Sequence, residues 1–305
     1  MRSIYIGGLP RVKLTDILLD GSIFMLYRNP FREGVKMTKA IDAEKAVTTI
    51  KRFISGKLLQ SGLDGYVVGL SGGIDSAVSA ALATEAIGKD KVLAVLMPYR
   101  TSSEDSITDA MELIGQLGIA CRRVDISAMI DAYFEEIEAP GQIRRGNKMA
   151  RERMSILFDV AYETNRLVLG TGNRTEICLG YTTWYGDAAC SINPLGELYK
   201  TEVRQLAEKL HIPDSIRNKP PSADLWVGQT DEGEIGVSYD RIDSLLRRLV
   251  DDGEKSMAKL ESEGYERTDI SRVVSLLSRF SFKRHLPDIA PLGRSSVPDS
   301  IQLEE

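Results

Sequence analysis

The chain has 305 residues, is 43% hydrophobic and sets 39 Lys and Arg against 44 Asp and Glu, which is enough length and apolar content to bury one sizeable core. Its net charge of -5 argues against a protein whose main business is holding nucleic-acid phosphates, and no apolar run reaches the ~20 residues of a bilayer helix. Cys121, Cys178 and Cys190 form no Cys-x-x-Cys pair, which excludes a zinc ribbon and a thioredoxin-like redox pair and, with no secretory signal, predicts a reducing cytoplasm.

Taken in chain order, residues 1–36 read as a separate segment. Residues 1–40 carry a net charge of +4, so the rest carries -9. The apolar stretch from Ile17 to Tyr27 is interrupted by Asp20 and Gly21 and lacks a small-residue cleavage site, so it is not read as a signal peptide. An extension that is disordered, or a start placed too early with Met37 as the true one, are the two readings of it.

From Ala40 the pattern alternates helix and strand. Ala46, Ile50, Phe53, Ile54 and Leu58 fall at helical spacing, and Tyr66 to Leu70 reads as a buried strand. A helix over 75–86, a strand over 91–97, a helix over 105–117 and a strand near 121–124 follow. A helix over about 147–162 then leads into a strand over 166–170. Four short strands separated by helices predict an α/β, doubly wound parallel sheet of Rossmann-like type, with ligands at the carboxyl ends of the strands. Beyond Tyr199 the pattern is mainly helical, over 201–210, 240–251, 254–264 and 269–280. The proline-bearing tail, 288–305, reads as irregular.

The most informative stretch joins the first strand to its helix: Gly69, Leu70, Ser71, Gly72, Gly73, Ile74, Asp75 and Ser76. Glycines there let the backbone aim several N–H groups at one point, and the helix that follows adds its positive end, so the loop is suited to phosphate. It is neither a Walker A loop, which needs a lysine near Asp75, nor the GxGxxG dinucleotide fingerprint. An aspartate inside a phosphate loop repels the anion unless a divalent cation lies between them, which reads Asp75 as a Mg2+ ligand.

SGGIDS resembles the pyrophosphate loop of the N-type ATP pyrophosphatases, which cleave ATP between its α and β phosphates. The downstream runs Gly146 to Met154, Leu169 to Glu176, Tyr185 to Asp187, Asn193 to Arg204, Lys219 to Leu225 and Gln229 to Tyr239 resemble the NAD synthetases among them, over roughly residues 41–287. The resemblance implies an NAD synthetase domain over 37–287. It also implies ATP-dependent adenylation of the nicotinate carboxylate of deamido-NAD with release of pyrophosphate, then attack by ammonia to give NAD and AMP. By the same resemblance, Thr171, Lys200 and Ser222 join the loop in contacting ATP. Asp75 and Glu176 hold Mg2+, Asp75 and Lys200 are catalytic, Arg151 contacts deamido-NAD, and the enzyme is a cytoplasmic homodimer. Arg100 is a further nucleotide contact on this reading.

Three departures fall on the deamido-NAD side. Trp184 and Ser191 stand where the family carries a lysine and an aspartate, and Phe282-Lys283 stands where it carries His-Lys. With Arg151, the positions Trp184, Ser191, Phe282 and Lys283 are the expected deamido-NAD contacts. The changes leave a second reading open, a related ligase that adenylates a different carboxylate. A third is a tRNA-modifying ATP pyrophosphatase, disfavoured by the acidic balance and the absent Cys-x-x-Cys pair. With only about 40 residues before the synthetase region, no fused glutaminase is expected, so ammonia is the expected donor.

Overall fold

The computed structural model describes residues 41–226 and 228–287. The expectations for 1–36 and 288–305 lie outside the described residues.

Four strands form one parallel sheet in the order β3-β2-β1-β4: β1 (Gly65–Gly69), β2 (Val92–Leu96), β3 (Ala120–Arg123) and β4 (Arg166–Val168). β1 and β2 are apolar at successive positions because both faces of the sheet are covered. Tyr66 and Val68 of β1, with Val92, Ala94 and Leu96 of β2, join one core with α1 (Ala43–Ser61), α2 (Ile74–Ile87), α3 (Glu104–Leu117) and α7 (Lys200–Lys209). Val67, Leu93, Val95 and Val168 face the opposite core with α4 (Ser127–Phe134) and α5 (Gln142–Glu163).

The expected doubly wound sheet is therefore present. β3 is an exception to the buried-strand pattern: Ala120, Cys121 and Arg123 are exposed, as befits an edge strand with charged side chains. The long helix α5 begins five residues before the expected start. α4 had no strong periodic signal because Ser127–Phe134 is short and has only two buried residues, Ile130 and Phe134.

After the sheet the chain passes through α6 (Arg174–Leu179), α7, α8 (Asp214–Arg217) and α9 (Asp231–Ile235). It continues into α10 (Tyr239–Leu246), α11 (Met257–Ser262) and α12 (Arg267–Arg279). These build a third apolar cluster in which Leu179, Tyr199, Tyr239, Leu245 and Val273 are buried. α7 gives Val203 and Leu206 to the sheet's core, while Tyr199, the residue just before it, is buried in the helical cluster. The helical part thus packs directly against the carboxyl edge of the sheet, where β1 and β4 both end.

Candidate active site

The glycine loop leaves β1 at Gly69 and enters α2 at Ile74. Gly72 has φ +75°, and a Cβ there would lie 2.2 Å from the Ser106 carbonyl oxygen, so the turn admits only glycine. Internal bonds hold the loop's shape. The Ser76 hydroxyl donates to the Gly73 carbonyl at 3.0 Å, and the Gly73 N–H donates to the Ser71 hydroxyl at 3.2 Å. Gly73 caps α2 without a side-chain bond, so the first-turn N–H groups of this 14-residue helix point outward at the sheet edge and favour an anion.

Asp75 lies in that first turn. Its carboxylate meets Lys200, the first residue of α7, in a salt bridge. The same ammonium stands 3.8 Å from Glu176 Oε1. Lys200 is 3% exposed, and Asp75 and Glu176 each 17% in their side chains. A buried cation with two carboxylates is what the separate motifs of the sequence bring together.

Asn173 locks the arrangement. It is fully buried and caps α6, accepting from the Glu176 N–H at 3.0 Å, while its Nδ2 donates to Asp75 Oδ1 at 2.9 Å. The Glu176 carboxylate in turn accepts from the Asn173 N–H at 3.1 Å, completing a capping box. Burial, and then the charge of Asp75, pushes the Glu176 carboxyl up to about 8. Burial opposes the charge on Lys200, but the carboxylates of Asp75 and Glu176 outweigh it, and its pKa lies above the ordinary lysine value.

Asp231 and Tyr239 were not singled out as individual sites from the sequence. Asp231 is 5% exposed and accepts from the Tyr239 hydroxyl at 3.0 Å and the Tyr181 hydroxyl at 3.3 Å. Burial raises its pKa, with the charge of Lys200 acting the other way. Lys200 Nζ lies 5.3 Å from the centre of the Tyr239 ring, so the ammonium is bounded by two carboxylates and an aromatic face. The available signal was the run Gln229 to Tyr239, in which only the pattern, and no single residue, stood out.

Residues 46–287 match the NAD synthase family. The chain belongs to that family. An NH(3)-dependent NAD(+) synthetase of Fusobacterium nucleatum subsp. nucleatum is 45% identical over 242 residues, covering 79% of this chain and 93% of the relative. The solved NH3-dependent NAD synthetase of Campylobacter jejuni aligns with TM-score 0.71 at 34% identity, over 82% of this chain and 100% of the other. A structure of an NMN synthetase from Francisella tularensis aligns with TM-score 0.74 at 33% identity, over 82% of this chain and 99% of the other.

Within this NAD synthase fold the remaining expected residues divide into two groups. Thr171 is half-buried just beyond β4, and Ser222 is exposed on the loop after α8, accepting from the Asp224 N–H at 3.1 Å. That loop is pinned to α3, because Lys219 Nζ donates to Asp109 at 2.7 Å and Asp224 accepts from the Ser103 N–H at 3.1 Å. Arg100 is exposed and paired with Asp131 on α4.

The second group lies along α5, the loop after α6 and the turn Ser281–Arg284 that follows α12. Arg151 Nε donates to the Trp184 carbonyl at 3.1 Å and borders an open hollow of 620 Å³ that Gln142, Arg144 and Asn147 also line. Trp184 stacks on Tyr185 at 4.6 Å between ring centres and meets Phe282 edge-on at 5.3 Å. Tyr185 and Phe282 are 54% and 50% exposed. Tyr185 also has φ +61°, strain that a bulky exposed side chain carries only when its surroundings fix it.

Lys283 and Ser191 are already engaged within the chain. Lys283 Nζ donates to the carbonyls of Gly180 and Thr182 at 2.8 and 2.6 Å. The Ser191 hydroxyl accepts from the Val168 N–H at 3.0 Å, tying the loop to β4.

Proposed function

We infer that the chain is an ammonia-dependent NAD synthetase, which activates the nicotinate carboxylate of deamido-NAD with ATP and then forms the amide. The observation that carries this reading is Lys200, buried at the sheet's carboxyl edge beside Asp75 of the phosphate loop and Glu176 of α6. A carboxylate is a poor acceptor for ammonia until its oxygen is joined to AMP. The difficulty of that first step is the charge that moves onto departing pyrophosphate, and preorganised donors stabilise such charge best.

The roles follow from position. The N–H groups of the loop and of α2, with the hydroxyls of Ser71 and Ser76, hold the β and γ phosphates. Lys200 follows the negative charge as the bond between the α-phosphorus and the bridging oxygen breaks. Thr171 and Ser222 bound the rest of ATP.

Asp75 and Glu176 are the ligands of Mg2+ on this reading. Two hard carboxylate oxygens facing a phosphate loop fit an ion that completes its shell with phosphate and water, and among the described residues no three acidic, histidine or cysteine side chains form a closed cage. When bound, Mg2+ supplies charge neutralisation at the leaving phosphates. The raised carboxyl of Glu176 fits the same role, since a buried carboxylate short of positive charge gains most from a cation.

On the carboxylate side, Arg151 with Trp184, Tyr185 and Phe282 offers one cation beside three aromatic rings. That suits a nucleotide, with a phosphate on the guanidinium and a ring on the shelf. Lys283 and Ser191 act there by shaping the loop. A homodimer belongs to the same reading, supported by Phe158 and Tyr162, which are 44% and 92% exposed one turn apart on α5. The cytoplasm is supported by three free cysteines.

The test is amide formation by the purified chain from deamido-NAD, ATP, Mg2+ and ammonium, with AMP and NAD quantified. Ammonium should support turnover and glutamine should not. ATP binding without AMP release would overturn the reading. The likeness to an NMN synthetase, together with the aromatic shelf in place of charged contacts, favours one second reading, in which the nicotinate carboxylate belongs to a mononucleotide. Faster turnover with nicotinate mononucleotide than with deamido-NAD in the same assay would select it.

A further inference from the structure

Asp243, Arg247 and Asp251 recur every fourth residue along α10 and the π-helical turn Arg247–Asp251 that continues it, which sets their side chains along one side of the helix. All of their partners described below lie at the start of α6 or α7. Asp243 is fully buried. Its Oδ1 accepts from the Thr175 hydroxyl at 2.5 Å, and its Oδ2 accepts from the Thr201 N–H at 2.8 Å. Thr175 passes the link on, since its hydroxyl oxygen accepts from the Lys200 N–H at 3.0 Å.

Asp251 repeats the pattern. Its Oδ1 accepts from Arg174 Nη2 at 2.6 Å and its Oδ2 from the Tyr199 hydroxyl at 2.9 Å. Between them Arg247 donates to Glu202 at 2.5 Å and lies 4.5 Å over the Tyr199 ring. Each carboxylate therefore gives one oxygen to α6 and the other to α7. The two first turns so joined carry Glu176 and Lys200.

We propose that Asp243, Arg247 and Asp251 are positioning residues: a pair of carboxylate bridges, with a guanidinium between them, that fixes the spacing of the α6 and α7 first turns and so sets the Lys200 ammonium against Asp75 and Glu176. Packing alone does not explain Asp243. Its neighbours Ile242 and Leu245 are buried in an apolar cluster, where an apolar side chain would avoid the desolvation cost of a carboxylate. What the carboxylate supplies is two acceptors at a fixed separation. Ala in either place removes both acceptors, whereas Asn can keep the two turns joined, its N–H being taken by the hydroxyl of Thr175 or Tyr199.

The proposal rests on the synthetase reading of the site, and its test is separable from that reading. In the full chain, Asp243→Ala and Asp251→Ala are each expected to lower kcat about 10- to 100-fold, the loss that misplacement by about an ångström brings. The KM for deamido-NAD should stay within twofold, because Arg151 and Trp184 are not touched. Hydrogen exchange at the Thr201 amide should quicken in Asp243→Ala while that of β1 is unchanged. Thr175→Val combined with Asp243→Ala should be no slower than the slower single variant, since both remove the same bridge. If Asp243→Ala does not fold, the half-exposed Asp251 decides the matter. A kcat within twofold of the parent in the folded Ala variants, or unaltered exchange at Thr201 in Asp243→Ala, would overturn the bridges. A parent chain that forms no amide would overturn the synthetase reading instead, and the exchange result would still stand for or against the bridges.

Discussion

The two sides of the candidate site are built by opposite means. Around Lys200 the charges are buried, paired and held by capping residues, with Asn173 bonded at once to Asp75 and to the α6 backbone. Along α5 and the loop after α6 the surface is open and aromatic. There Arg151 is the expected cation that keeps exposure, and Lys283 is turned onto backbone carbonyls. Chemistry that breaks the same phosphate bond in every cycle favours fixed dipoles in a dry setting. Recognition of a carbon skeleton is served by area and shape, which a few substitutions change without disturbing the fold.

The largest expected effect tests the buried side. Lys200→Met keeps the length of the side chain and removes its charge, so kcat should fall by at least about 10³-fold, while far-ultraviolet circular dichroism remains that of the parent. Retention of a tenth of the parent rate would mean that charge at this point is incidental. A smaller effect tests the open side. Trp184→Ala should raise the KM for deamido-NAD about 5- to 10-fold, the worth of a stacked ring, and leave the KM for ATP within twofold. Equal rises in both constants would show that the loop serves the whole site and not one substrate.

The smallest effect concerns stability and compares the two sides without substrate. The Glu176 carboxyl ionises near 8 in the folded chain, well above its ordinary 4.5. The folded state therefore holds a proton that the unfolded state releases, and the parent loses stability as pH rises from 4.5 to about 8. Glu176→Gln lacks that loss. Its melting temperature should equal the parent's near pH 4, exceed it by a few degrees at pH 8, and keep the same margin above that. A margin independent of pH would mean that Glu176 is not strained by its surroundings.

The sheet was legible because both of its faces are covered. Continuous apolar runs such as Val92 to Leu96 between helical segments have few other readings, and the glycine loop follows directly from one of them. Lys200 and Glu176 were legible only through their motifs. Residues 75 and 176 each open a helix after a strand, which places both carboxylates at one edge of the sheet, but nothing in spacing brings Lys200 to them, because that depends on how α7 packs between the sheet and the helical cluster. Asp231 and Asp243 were not singled out for the same reason. Each is an ordinary carboxylate in a helical stretch, and only tertiary packing makes one of them a neighbour of Lys200 and the other a bridge. Lys283 shows the converse, a cation whose motif points to substrate and whose ammonium bonds to its own backbone.

Asn173 has a consequence for the lifetime of the protein. Its amide is read from both ends, the oxygen taking a backbone N–H and the nitrogen giving to a carboxylate, so hydrolysis to aspartate would replace the donor with an anion facing Asp75. Chemical ageing at this one amide would disable the molecule while leaving its core intact. Its complete burial and the capping bond on its side chain guard against that reaction, which needs water and a freely turning backbone. The rigidity that organises the charges thus also shields the amide on which their arrangement rests.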